Sequence, residues 1–152
     1  PGADGKSHAA MGMMAPLTVT EGDEAVDLAS LDIEGTVSLQ DGSFAVSPGF
    51  DGQGRVLVTN DGSETHEMLI TQILEGGSFE EYQAALSKGS APELSSDYKV
   101  SQGVAVMSPG QSIIAEIDLE TGDYVLLCLA PSMADMRPHT MHGEIQLVHF
   151  PT

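Results

Sequence analysis

Short runs of β-branched and aromatic residues, separated by turn signals, dominate this chain. The clearest turn signals are Gln40-Asp41-Gly42, Asn60-Asp61-Gly62, Ser108-Pro109-Gly110 and Thr121-Gly122-Asp123. Short strands divided by Gly and Pro turns are typical of sandwiches with Greek-key connections. We therefore predict an all-β, antiparallel Greek-key β-sandwich. The predicted strands are 17–20, 35–39, 43–46, 55–60, 67–73, 103–107, 112–119, 124–128 and 144–150.

One segment departs from the β pattern. From Ser78 to Gly89 the apolar residues recur at helical spacing, and Ser78 with Glu81 forms a capping box at the start. A Gly ends the segment, as at many helix C-termini. The pattern predicts one short helix inserted between two strands, followed by an irregular surface loop over 89–98.

The length allows one compact domain. With 152 residues and 15.9 kDa, the chain can bury one sizeable core but falls short of two ordinary domains. Residues 1–16 lack strand or helix periodicity, so we predict a flexible N-terminal arm there and one domain over 17–152. The arm contains His8, Met11, Met13 and Met14, which either bind copper weakly or have no role.

The chain is strongly acidic. Its 23 acidic and 5 basic residues give a formal net charge of −18 at pH 7. Such a chain repels the phosphates of nucleic acid, and it disfavours an anionic membrane surface. The acidity serves either solubility or the electrostatic steering of a basic partner. We therefore expect no nucleic acid among the partners.

Targeting signals are weak. No segment approaches the roughly 20 consecutive apolar residues that a membrane-spanning helix needs. Residues 1–7 have the composition of a linker, as expected of what remains after a leader is removed. Cys128 is the only cysteine, so disulfide content does not indicate the redox compartment. We expect an extracytoplasmic protein that is periplasmic, secreted or tethered to a surface.

Three parts of the chain carry side chains that bind metals. His66 lies at the start of a predicted strand, Cys128 ends the penultimate one, and the segment 139–142, His-Thr-Met-His, precedes the last one. If the last two strands are neighbours in one sheet, the loop between them lies at one end of the sandwich, where His66 can also lie. A thiolate, two imidazoles and a weak axial donor suit copper in both oxidation states.

Four motifs occur in the order found in a known family: Asn60-Asp61-Gly62 through His66, Pro109-Gly110 before a strand, Thr121 through Cys128, and Pro138-His139 before a terminal strand. With these motifs, over roughly residues 35 to 150, the chain resembles the cupredoxin, or blue copper, family. The resemblance implies a cupredoxin-like sandwich and one mononuclear copper ion of type 1. It also implies electron transfer to a redox partner protein, and the acidic charge of the chain favours a basic one. The equatorial ligands that it implies are His66, Cys128 and His139.

The chain departs from the family in two ways. Ten residues, 129–138, separate Cys128 from His139, more than is usual, although a longer loop adds little closure entropy. The family usually places a Met shortly after its second His, where this chain has Gly143 and Glu144. For the fourth ligand we favour Met141, whose thioether is soft, with Glu144 and His142 as alternatives. Loss of the axial ligand is also open.

Other functions stay open beside electron transfer. A copper chaperone or store would hold Cu(I) through the pairs His66-x-Met68 and His139-x-Met141, because residues two apart on an extended chain face the same way. Met68 lies in an apolar run, however, which is typical of a core residue. A metal-free cupredoxin-like interaction domain is the third possibility. We do not expect an enzyme, since no Ser/His/Asp order, phosphate-binding Gly loop or paired-carboxylate motif stands out.

Overall fold

The computed structural model of the chain describes residues 9–18, 27, 30–90, 92 and 95–151. The chain divides into two compact units, residues 1–31 and 32–152. In the first unit, Ala9–Met11 forms a 3-10 turn, and the side chains of Met11, Met13 and Met14 are exposed. The predicted domain boundary after residue 16 stays a prediction.

Two sequence predictions fall partly outside the described residues. Leu17 and Thr18, which belong to the first predicted strand, are exposed and lie in no strand. Residues 19–20 of that strand and His8 of the predicted arm lie outside the described residues.

The second unit consists of two four-stranded sheets, with strand orders β2-β1-β3-β6 and β5-β4-β7-β8. This arrangement confirms the all-β prediction. Among the described residues, no helix has the length and apolar character that a membrane span requires. The elements are β1 Gly35–Gln40, β2 Ser43–Val46, β3 Gln53–Asn60, β4 His66–Ile73, α1 Phe79–Ser87, β5 Tyr98–Met107, β6 Ser112–Asp118, β7 Gly122–Leu127 and β8 Ile145–Phe150.

The main core lies between the two sheets. Along β1, Gly35, Val37 and Leu39 are buried while their neighbours are not, as expected of a strand with one face on a core. Side chains from both sheets pack together there, and Cys128 belongs to the same cluster. The members from β3, β4 and β7 are Val56, Val58, Met68, Ile70, Tyr124 and Leu126.

Strand β7 is buried on both faces. Helix α1 covers the outer face of its sheet, where Val125 and Leu127 pack in a second cluster with Tyr82 and Tyr98. This double burial explains why the sequence before Cys128 is an unbroken apolar run. The helix begins as predicted, with the Ser78 side chain accepting a hydrogen bond from the Glu81 N–H at 3.2 Å.

The structure corrects two details of the predicted sandwich. Strands β1 and β3 pair in parallel, so the sandwich is not fully antiparallel. This pairing arises because the β1–β2 hairpin leaves β2 at the sheet edge, and the chain then returns to the other side of β1. Strand β5 begins at Tyr98, inside the predicted loop, because its first half is an edge segment with exposed polar residues.

The pairing of β7 positions the two ends of the loop that follows Cys128, and it meets the condition stated from the sequence that the last two strands are neighbours. Strands β7 and β8 are antiparallel neighbours, with Leu127 opposite Ile145. Strand β4 is the other antiparallel neighbour of β7, with Leu69 opposite Leu127. The start of β4, the end of β7 and the start of β8 therefore lie at the same end of the sandwich.

Candidate metal centre

Four potential metal ligands meet at that end of the sandwich. His66 is the first residue of β4, Cys128 directly follows β7, His139 begins a short 3-10 helix, and Glu144 directly precedes β8. All four side chains are buried, and one donor atom from each lies within 4.8 Å of the other three. The structure thus brings together the three predicted equatorial ligands and one of the three alternatives for the fourth.

The donor atoms face one another closely. The Sγ atom of Cys128 lies 3.4 Å from Nδ1 of His139 and 4.0 Å from Nδ1 of His66. Atom Oε2 of Glu144 lies 2.9 Å from Nδ1 of His66 and 3.3 Å from Nδ1 of His139. The two imidazole rings are tilted by 39° with their centroids 4.6 Å apart. Both imidazoles therefore present the same nitrogen to the same small volume.

Asn60 shapes the turn that leads into His66. Its buried side chain donates hydrogen bonds of 2.9 Å to the carbonyl oxygens of Glu64 and Met107, and it accepts one from the Gly62 N–H. Asn is favoured in such turns because its amide bonds to the backbone two residues on. The turn fixes both the start of β4 and the position of Glu64.

The long loop after Cys128 closes at its base. The N–H of His139 donates to the Ala130 carbonyl at 2.9 Å, and the N–H of Thr140 donates to the Cys128 carbonyl at 3.0 Å. Pro131 and Pro138 form an isolated bridge, so residues 131–138 form an excursion to one side. The ten-residue gap therefore leaves Cys128 and His139 as near neighbours in space.

Two carboxylates outside the group determine the imidazole tautomers. Asp41, in the β1–β2 turn, contacts Nε2 of His66 at 2.9 Å, and Glu64 contacts Nε2 of His139 at 3.1 Å. An ionised carboxylate only accepts hydrogen bonds, so both Nε2 atoms carry the proton. In the neutral imidazoles, both Nδ1 atoms then present lone pairs to the interior of the group.

Hydrogen bonds keep these two carboxylates ionised. The Ser63 hydroxyl and then His66 lower the pKa of Asp41 far below its usual value. The backbone N–H of Met133, at 2.7 Å, and then His139 lower the pKa of Glu64. Glu64 therefore also ties the loop excursion to an imidazole of the group.

Burial has the opposite effect on the two acidic groups inside. It raises the pKa of Cys128 to about 12, with a further rise from the Glu144 charge. Burial also raises the pKa of Glu144 to about 8, with the Asp41 and Glu64 charges adding to the rise, although the Gly42 N–H and the Cys128 thiol oppose it. Without a cation, both groups are held mainly in their protonated forms near neutral pH.

The geometry fits a bound cation. Among the described residues, no hydrogen bond of normal geometry reaches either carboxylate oxygen of the fully buried Glu144. Two imidazole lone pairs, a thiol and this carboxyl converge on one small volume, and a metal ion that displaced the thiol and carboxyl protons would bind all four. Thiolate and imidazole ligands together suit copper. The backbone N–H of Glu67 contacts Sγ at 3.4 Å and would orient a thiolate.

The other predicted metal-binding side chains lie outside the buried group. Met141 is 45% exposed and lines a separate depression of about 490 Å³ with Leu129 and Pro138. His142 is exposed, pairs with Asp135 at 3.1 Å and lines the cavity beside the buried group. Met68 is buried in the main core. Neither methionine lines the cavity of about 270 Å³ that opens onto the buried group.

The sequence did not reveal the roles of Asp41 and Glu64. Asp41 appeared only as part of a turn, and it lies 25 positions before His66. Glu64 lies 75 positions before His139, although it is only two residues from His66. The one available signal was an acidic residue within the predicted turn 40–42 and another just after the predicted turn 60–62.

Comparisons with known proteins add little to this description. No family model and no curated protein matches the chain. Among solved structures, the chain is similar to dithionite-reduced auracyanin from the photosynthetic bacterium Roseiflexus castenholzii, with 16% sequence identity and a TM-score of 0.44. That match covers 75% of this chain and 93% of the auracyanin chain. The site is therefore defined by its own donor atoms and their burial.

Proposed function

We propose that this protein is an electron carrier that holds one mononuclear copper ion of the type 1 class through His66, Cys128 and His139. The observation that supports the proposal is the buried convergence of Sγ and two Nδ1 atoms within 4.8 Å of one another. A thiolate with two imidazoles is the donor set of blue-copper electron-transfer sites. We propose a carrier rather than an enzyme.

When bound, copper would supply a one-electron redox couple. The residues of the chain would keep the donors in place in both oxidation states, which limits rearrangement on electron transfer. Asp41 and Glu64 orient the imidazoles, and the Glu67 N–H orients the sulfur. Burial of the four side chains limits the contact of their donor atoms with bulk solvent.

A visible spectrum tests the proposal. Addition of Cu(II) to the purified chain should produce an intense absorption band from thiolate charge transfer. Cys128→Ser should abolish this band, whereas Met133→Leu, which removes an exposed sulfur of the adjacent loop, should retain it. Copper binding without such a band, or a band that survives Cys128→Ser, would refute the electron-carrier proposal.

We further propose that the partner is a basic redox protein, because the net charge of −18 attracts cations. The test uses two inorganic oxidants of opposite charge with the reduced protein, a hexaammineruthenium(III) cation and a hexacyanoferrate(III) anion. Added salt should slow the reaction with the cation and accelerate the reaction with the anion. Salt-independent rates with both would contradict steering.

The expected extracytoplasmic location is part of the same proposal. It rests on the resemblance stated from the sequence. Cell fractionation followed by detection with an antibody would test it. A purely cytoplasmic signal would contradict it.

A further inference from the structure

Among the acidic side chains that the structure describes, only that of Glu144 is fully buried. Among the described residues, neither of its oxygens accepts a hydrogen bond of normal geometry. Natural proteins rarely leave a buried carboxyl in this state, because it loses its hydration without compensation. A proton or a cation at this carboxyl would compensate for the lost hydration.

The carboxyl of Glu144 faces the Nδ1 lone pairs of both imidazoles. Oε2 lies 2.9 Å from Nδ1 of His66 and 3.3 Å from Nδ1 of His139. Because both imidazoles use their N–H on outer carboxylates, neither Nδ1 donates to Glu144. Only a proton or a metal cation between these atoms makes the arrangement favourable.

The local backbone explains why Glu144 points inward and Met141 does not. His139–His142 forms one 3-10 turn, and Gly143 follows in the left-handed conformation with φ of 97°. The Glu144 N–H then donates to the His139 carbonyl at 3.1 Å, and the Glu144 carbonyl accepts from the Cys128 N–H at 3.2 Å. These bonds hold Glu144 against both predicted ligands, while Met141 faces the outer depression.

We infer that Glu144 is the fourth ligand of the copper centre and that its charge biases the centre toward the oxidised ion. The inference rests on the proposed function and extends it. A carboxylate is a hard anionic donor, which favours Cu(II) over Cu(I) more than a neutral thioether in the same place would. Asp41 and Glu64 act in the same direction, because they increase the basicity of the imidazoles.

The inference predicts a shift in the ratio of the Cu(II) and Cu(I) affinities. Glu144→Gln removes the charge and keeps the shape, and Glu144→Met introduces a soft donor. Each should lower the Cu(II)/Cu(I) affinity ratio at least about tenfold, which corresponds to a midpoint potential about 59 mV higher for a one-electron couple. The thiolate band should persist and change in wavelength, since the fourth donor changes the geometry at the metal.

The experiment compares copper-loaded wild type with Glu144→Gln, Glu144→Met, Met141→Leu and Glu116→Gln by absorption and potentiometric titration of the full chain. Glu116 is an exposed carboxylate on β6, and Met141 is the alternative ligand. Both of these variants should match the wild type.

Two results would overturn the inference. In the first, the copper-loaded wild type is coloured and Glu144→Gln has the same absorption band and the same midpoint potential. This result excludes Glu144 as a ligand and leaves the electron-carrier proposal intact. A shift with Met141→Leu assigns the fourth position to Met141 even if the Glu144 variants do not fold. Wild type that binds copper without a thiolate band refutes the proposed function itself.

Discussion

Four histidines in the described part of the chain each contact a carboxylate oxygen, but they lie in two different settings. The contacts have nearly the same length: 2.9 Å for His66–Asp41, 3.1 Å for His139–Glu64, 3.1 Å for His142–Asp135 and 2.8 Å for His149–Asp123. The side chains of His66 and His139 are 1% and 6% exposed, whereas those of His142 and His149 are 42% and 63% exposed.

The comparison shows that a carboxylate contact alone does not mark a site. An exposed imidazole can exchange its carboxylate for water, so the contact contributes little and does not fix the tautomer. A buried imidazole has no such exchange, and its carboxylate determines which nitrogen carries the proton. Burial therefore turns an ordinary contact into a means of orienting a metal ligand.

The largest difference between the two settings should appear when an imidazole is removed. His139→Gln should weaken Cu(II) binding by more than about 100-fold, because losing a ligand costs more than losing a supporting contact. His149→Gln should leave the affinity unchanged. Chelator competition monitored by absorption measures both. Equal losses in the two variants would mean that burial does not distinguish the histidines.

The metal-free protein should show the cost of burying Glu144. In the folded state the Glu144 carboxyl has a pKa of about 8, which exceeds its ordinary value of 4.5. At low pH the carboxyl is protonated in both states and this cost is absent. As the pH rises through the interval between the two values, the unfolded chain ionises first and the folded state loses stability. Above the folded pKa the loss is complete.

Glu144→Gln should remove this loss. It should stabilise the metal-free protein by on the order of a few kcal/mol at about pH 8.5 and by little at about pH 4.5. Denaturant unfolding at both pH values measures the difference, with the exposed Glu116→Gln as the control. A stabilisation that does not vary with pH would contradict an ionised, buried Glu144 as its source.

Removal of the carboxylate partner should also distinguish the buried from the exposed histidine–carboxylate pairs, with a smaller effect on Cu(II) affinity. Asp41→Asn should weaken Cu(II) binding about 10- to 100-fold, because the His66 tautomer is no longer fixed. Asp123→Asn, the matched change beside His149, should leave binding unchanged. The same chelator competition measures both, and a full effect of Asp123→Asn would indicate long-range charge rather than imidazole orientation.

The smallest expected effect comes from Gly62. A Cβ atom there would lie 2.6 Å from both Oδ1 of Asp41 and Nε2 of His66, so Gly62→Ala should force the two apart. We expect Cu(II) affinity to fall by up to about tenfold. In the double variant with Gly62→Ala and Asp41→Asn, the loss of Cu(II) affinity should be smaller than the sum of the two single losses, because both changes act on the Asp41–His66 contact. Additive losses in the double-mutant cycle would mean that Gly62→Ala does not act through the Asp41–His66 contact.

Local patterns in the sequence were sufficient for most of the fold. The capping box of Ser78, the apolar run before Cys128 and the turn at Asn60 each encode their structure within a few residues. The parallel pairing of β1 with β3 was not predictable in this way. It depends on which side of β1 the chain returns to after the hairpin.

The candidate site was predictable to a similar degree. Strand order places His66, Cys128 and His139 at one end, and their role as ligands stays a proposal. The choice between Met141 and Glu144 depends on one 3-10 turn and a left-handed Gly143, which spacing alone does not reveal. The partnerships of Asp41 and Glu64 join residues far apart in sequence, so only the folded chain shows them.

The closed base of the loop after Cys128 has a consequence for how this protein can diverge. The bonds from His139 to Ala130 and from Thr140 to Cys128 fix the geometry of the base, so residues 131–138 form an exchangeable cassette. The cassette carries the exposed side chains of Met133 and Met136. The Met133 N–H donates to Glu64, which contacts the imidazole of His139. Substitutions that keep the bond from the Met133 N–H to Glu64 can therefore change the exposed surface beside the site without moving Cys128 or His139.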